Sequence, residues 1–340
     1  MPVDSPDVLP GQTNPAEFAH VVNERGATLV VLSAAPDHEH WAKGAPSLAS
    51  KESPVVARRE VDQSLLPKAM TRLTGRSMRL VGASGEVCRG TLAEPFLLSR
   101  VEPHFGERQR WDGEEQEDGS KTPALSDEHV AQIAWDLAGD GKLLVAELVE
   151  TNGDCRDARF ARAADLPALS TTAAHRPSAS LVAQAMKALS KMPAYEANEK
   201  AYRASSQAKP STSWIESQYG DVSLYEFSMG KATYVWMSAS AGEVCSDFSA
   251  QMKVLWKVSG TNAKKLGFGA KGANGDPKPQ MLELEFEVLY EGEAEFTPEM
   301  LVQLPGDAAP SLLGRESLLR KDTKVYEVEE LHVPFLDCPC

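Results

Sequence analysis

The sequence predicts an α+β protein of two related domains, each a mostly antiparallel sheet with one or more packed helices. Three observations predict it. The chain has 340 residues, about two domains at roughly 150 residues each. Apolar strand-like runs cluster while helix signals fall at the start of each half, which favours segregated sheets and helices over alternating βαβ units. Gly85-Glu86-Val87-Cys88 recurs as Gly242-Glu243-Val244-Cys245, an offset of 157 residues at which Ala93 meets Ala250, Leu98 meets Leu255, Arg100 meets Lys257 and Val101 meets Val258. Two copies read as a duplication, not a solenoid; convergent strand–turn–strand patterning is the alternative. The expected organisation is a flexible tail over 1–13, a first α+β domain over 14–165, a linker with a helical segment over 166–213, and a second, strand-rich domain related to the first over 214–340.

Along the chain, Asn14-Pro15-Ala16-Glu17 reads as a helix start running to Arg25 and stopping at Gly26. Asn caps, Pro fits the first turn and Gly suits the left-handed terminus. Thr28 to Leu32 and Val55 to Val61 are β-branched and apolar, hence strands. Residues 34–54 read as a polar loop and Leu65 to Leu73 as a short helix with Pro67 in its first turn. A strand pair over about 77–102 carries Cys88, followed by a solvated acidic loop with Asp112, Glu114, Glu115, Glu117 and Asp118.

Ser126 caps a helix with Asp127 and Glu128 in its first turn and a stripe of Val130, Ile133, Ala134 and Leu137. Leu143 to Val149 is a strand, and Asn152-Gly153 signals a hairpin into Arg159–Ala163. Leu181 to Lys191 is helical, and Pro193 restarts a helix to about Ser206. Val222–Ser228 and Thr233–Ser238 flank a turn at Met229-Gly230-Lys231, and Ala250–Val258 continues that sheet. Leu282, Leu284, Phe286 and Val288 alternate with Glu283, Glu285 and Glu287, one face buried and one acidic. Val325 to Val333 closes the series.

Lys and Arg number 35 against 49 Asp and Glu, a formal charge of −14. That balance argues against a general nucleic-acid or anionic-membrane binder. No apolar run reaches the roughly 18 residues of a transmembrane helix. The five cysteines are Cys88, Cys155, Cys245, Cys338 and Cys340. Their placement admits one disulfide per half, Cys88–Cys155 and Cys245 with Cys338 or Cys340; the alternative is five reduced, buried thiols. Cys338-Pro339-Cys340 has too few neighbouring ligands for a closed zinc site. Met1-Pro2-Val3-Asp4-Ser5-Pro6 lacks the regions of a secretory signal. A polar, Pro-rich opening is equally common just after a cleaved signal or lipid anchor, and disulfides need an oxidising compartment. A periplasmic, cell-envelope or secreted location is therefore expected, with the cytoplasm as the alternative.

Few residues carry a chemical signature. Asp37, His38 and His40 could contribute metal ligands from one extended segment, though Asp37-His38-Glu39-His40-Trp41 also reads as a plain polar loop. Gly267-Phe268-Gly269-Ala270-Lys271-Gly272 matches a dinucleotide fingerprint by letter, but Asn274-Gly275-Asp276-Pro277 cannot start the required helix. Ser84 lacks the spacing of a hydrolase elbow. Asp136 and Asp140 lack the series of a calcium loop. Trp214, Tyr225, Trp236 and Trp256 read either as the core of a twisted sheet or as an interface platform.

No cofactor is expected. The leading functional expectation is an exported, non-enzymatic binding or structural protein with a protein or polymer partner and no nucleic acid. The alternatives are a metal-dependent hydrolase using the Asp37/His38/His40 loop and a cytoplasmic accessory subunit with reduced cysteines.

Overall fold

The stretch that reads as the first helix folds as a hairpin. A computed structural model describes residues 14–34, 39–103, 111–113, 119–242, 247–260, 284–293, 296–322 and 325–331. Asn14 does cap a turn, its Oδ1 accepting from the Ala16 N–H at 3.0 Å. The chain then extends into β1 (Ala19–Glu24), which pairs antiparallel with β2 (Ala27–Ser33). Arg25 and Gly26 both have positive φ, 51° and 85°. Such a two-residue turn matches the right-handed twist of its strands. The left-handed glycine expected at a helix end is equally what this turn requires, so Gly26 fits both readings. Burial decides between them: Val21 enters one core cluster and Val22 the opposite one, the two-sided burial of an inner strand.

The chain divides into two compact units, Met1–Ala168 with Glu329–Cys340, and Leu169–Val328. In the first unit, β3 (Ala42–Ser50) and β4 (Val55–Val61) form a hairpin, followed by α1 (Lys68–Thr71), β5 (Ser77–Gly82) and β6 (Gly85–Val101). Then come α2 (Asp127–Leu137), β7 (Leu143–Gly153) and β8 (Phe160–Ala163). Six strands close a barrel in the order β6-β5-β8-β1-β2-β7, with β7 returning to β6.

Closure depends on β6, which has 17 residues. Cys88 pairs with Leu80 of β5 on one edge and Gly153 of β7 on the other; farther along, Leu98 pairs with Arg58 of β4 and Leu143 of β7. Register shifts at Arg89/Thr91 and Leu92/Pro95 bend this strand. Bulges supply the curvature a small barrel needs and let proline sit within a strand. At Gly90 the strands approach so closely that a Cβ would lie 2.6 Å from Leu148 Cγ. Val21, Val30, Leu80, Leu92, Ala146 and Ala161 put side chains from all six strands into one core, joined by Val130, Ala134 and Trp135 of α2. The opposite faces of Leu29, Val31, Leu98, Leu143 and Val145 form a second cluster. A run such as Leu143-Leu144-Val145-Ala146 is therefore apolar throughout instead of alternating.

The Cys88–Cys155 disulfide expected for the first half is present, with Cα atoms 5.2 Å apart. It ties β6 to the segment after β7. The hairpin expected at Asn152-Gly153 does not form: β7 stays paired with β6 to Gly153, and β8 pairs with β5 and β1.

The second unit begins with β9 (Thr171–Ala173), α3 (Ala179–Leu189) and α4 (Pro193–Ala204). The strands β10 (Asp221–Met229), β11 (Ala232–Gly242), β12 (Ser249–Gly260) and β13 (Leu284–Gly292) form an antiparallel sheet in that order. The remaining strands are β14 (Met300–Val302), β15 (Ser311–Leu313), β16 (Ser317–Asp322) and β17 (Val325–Glu330), in a sheet of order β17-β16-β15-β14-β9. Val235, Met237, Val254 and Trp256 pack against Leu181, Ala185 and Leu189 of α3 and Tyr202 of α4. Tyr234, Trp236 and Leu255, on the other face, meet Leu301, Leu312 and Leu319. The central sheet is thus sandwiched between a helical layer and a five-stranded sheet of shorter strands.

These observations overturn the expected α+β class. The structure is mostly β, 48% strand against 18% helix, with a closed six-strand antiparallel barrel and further sheets, and it is not a balanced pair of α+β domains. The two units also have different architectures, so the expected relation between them finds no support. The shared tetrapeptide sits in different places. Gly85 opens the second strand of its hairpin across a two-residue turn at Ala83-Ser84, whereas Gly242 ends β11 and pairs with Ser249. Residues 243–246 of the second copy lie outside the described residues.

Candidate functional site

Of the five cysteines, Cys88 and Cys155 are joined and buried. Cys245, Cys338 and Cys340 lie outside the described residues, as do Asp37, His38, most of the acidic loop and the glycine-rich motif at 267–272. His40 is described; it is exposed and its ring lies 4.6 Å from that of Trp41. Among the described residues, no group of three or more His, Cys, Asp or Glu could hold a metal ion.

The aromatics divide clearly. Trp214, Trp236 and Trp256 are fully buried, and Tyr225 is half-buried against the same cluster as Trp236. Trp236 stacks on Tyr290 at 5.8 Å and meets the edge of Phe296 at 5.2 Å. These tryptophans fill the core and expose no platform. Ser84 lies in the two-residue turn between β5 and β6, and Asp136 accepts from Gln132 at 2.9 Å on the exposed side of α2.

The polar cluster that the structure does assemble centres on Glu39. One carboxylate oxygen accepts from Trp135 Nε1 and from Lys142 Nζ, both at 2.7 Å; the other accepts from Arg59 at 2.9 Å. Arg59 and Lys142 also lie over the Trp135 ring, at 5.5 and 5.1 Å. Two cations over one indole, held by one carboxylate, form a clasp between α2 and the strands beneath it. No local pattern announces it, since the partners lie 20, 96 and 103 residues from Glu39.

Partial burial pushes the Glu39 carboxyl up, but the hydrogen bonds from Lys142 and Trp135 and the charges of Lys142 and Arg59 outweigh it, leaving the group below its usual 4.5. A carboxyl lowered in the folded state stabilises fully above its unfolded value, and that contribution is lost as pH falls through the folded value. Because Glu39 is half-exposed, the contribution is modest, about 0.5–1 kcal/mol. Glu39→Gln is expected to lower stability by that amount at pH 7. Urea denaturation as a function of pH should show the difference vanishing below the lowered folded value. A gap that stays constant into strong acid would contradict this assignment.

The described residues also line concave features, among them a cleft and a groove. A cleft of about 820 Å³ in the second unit is lined by Ser178, Gln184, Glu226, Lys231, Lys257 and Leu284, among others. Several of these groups already serve the fold: Ser178 Oγ caps α3 by accepting from the Leu181 N–H at 3.2 Å, and Gln184 Oε1 accepts from the Leu284 N–H at 2.9 Å. A groove of about 400 Å³ in the first unit borders Cys155, Asp154 and Arg156. There the Arg156 hydrogen bonds draw the Asp154 carboxyl down to about 2.

No family profile matches this chain, and no curated protein or solved structure is similar to it at a significant level. No helix among the described residues is long and apolar enough to cross a membrane.

Proposed function

We propose that this is an exported, non-enzymatic binding or structural protein whose partner is a protein or polymer. The observation that carries the proposal is the buried Cys88–Cys155 link between β6 and the segment just after β7. Structural disulfides persist in oxidising compartments and are uncommon in the cytosol. The central strands of both large sheets are buried on both faces by apolar clusters, which leaves recognition to strand edges, clefts and loops. The charge of −14 favours a basic partner over an acidic one.

Cell fractionation against a cytoplasmic marker enzyme tests the location. The protein is expected outside the cytoplasm. Recovery with the cytoplasmic marker would overturn export.

A further inference from the structure

The four-stranded sheet of the second unit ends on a strand whose outer edge has no strand partner among the described residues. Among the described residues, β13 pairs with β12 alone. Residues of an antiparallel strand alternate between those that hydrogen-bond to their neighbour and those that turn both backbone groups away. The Leu284 N–H goes to Gln184 Oε1 at 2.9 Å, so Leu284 belongs to the outward set. Phe286 and Val288 then share its phase and present N–H and C=O to the open side. The edge is nine residues long, comparable to a recognised strand.

The side chains along this edge have a definite character. Glu285, Glu287 and Glu291 are exposed. Val288 stands among them 47% exposed, where a register shift opposite Leu255 and Trp256 interrupts the pairing. Unpaired edges template strand addition unless charge, proline or bulges discourage it. Here the charge has one sign. It repels an identical acidic edge and attracts a basic one, while Val288, on the opposite face of the strand from Glu285 and Glu287, offers an apolar contact.

We propose that the open edge of β13 is a strand-addition surface for an extended basic segment of a protein partner. The segment would run alongside β13 and exchange backbone hydrogen bonds at Phe286 and Val288, its Lys or Arg side chains meeting Glu285 and Glu287. Main-chain bonds supply affinity in this mode, and alternate side chains supply specificity. This deepens the binding reading above and rests on it. It fails separately, since an edge that captures nothing leaves the disulfide and the location untouched.

The probe is a peptide of alternating lysine and valine as long as β13, titrated against the full chain by calorimetry, with amide exchange followed at Phe286 and Val288. Binding is expected, with slowed exchange at both amides. The Glu285→Lys/Glu287→Lys double variant is expected to weaken it by about tenfold or more. An isosequential peptide N-methylated at alternate residues keeps the charge but loses backbone donors, and should also bind about tenfold more weakly or worse, on the unmodified protein. Three results would overturn the proposal: no binding of the unmodified peptide, equal binding of the methylated peptide, or sedimentation showing a second copy of this chain on the edge.

Discussion

Replacing Cys88 and Cys155 together by alanine is expected to lower the unfolding free energy of the first unit by about 4 kcal/mol. The link spans 67 residues of sequence. Closing a loop of that size removes about 4 kcal/mol of chain entropy from the unfolded state in the standard treatment. For a unit of this size each kcal/mol shifts the melting temperature by roughly 2–4 °C, so a fall of roughly 10 °C accompanies it. The link also joins β6, the strand on which closure turns, to the chain between β7 and β8. Reductant alone should bring the unaltered protein to the variant's stability, measured by urea denaturation. A variant as stable as the oxidised protein would show that the staple contributes nothing to the barrel.

Trp236→Ala is expected to cost the second unit about 3–5 kcal/mol, the range for removing a large buried aromatic. Trp236 is fully buried, stacked on Tyr290 and edge-on to Phe296. Its Nε1 has no hydrogen-bond partner among the described residues. The loss is therefore one of packing, and Trp236→Phe, which keeps a ring in the same place, should cost clearly less. Had Trp236 belonged to an exposed ligand platform, alanine would leave stability within about 0.5 kcal/mol. Chemical denaturation of the two variants distinguishes these outcomes.

Elements decided by local physics are legible in the sequence. Val55 to Val61 emerges as β4, and the apolar run from Leu143 as β7. Ser126 caps α2 as its side chain predicts, accepting from the His129 N–H. Pro193 opens α4 in the first-turn position where a missing N–H costs nothing. The Cys88–Cys155 pairing is among those that placement within one half admits.

The remainder is non-local. Arg25-Gly26 satisfies both a helix end and a hairpin, and only packing against partners more than a hundred residues away, such as Ala161 of β8, selects the hairpin. Barrel closure depends on β6 meeting β7, a pairing that periodicity cannot encode. The acidic–apolar alternation before Val288 correctly marks a strand, but its last apolar residue is exposed because β13 is an edge and shifts register there. Glu39 sits beside the candidate metal ligands in sequence, yet its carboxylate is occupied by Arg59, Lys142 and Trp135.

The central claim, an exported protein stapled for an oxidising environment, is tested most directly by trapping thiols in the producing cells. Cells are quenched in acid and the protein is alkylated under denaturing conditions. It is then mapped by mass spectrometry without reductant. The peptides bearing Cys88 and Cys155 are expected to appear as one cross-linked species. Recovery of both residues in alkylated form, in protein never exposed to reductant, would contradict the claim.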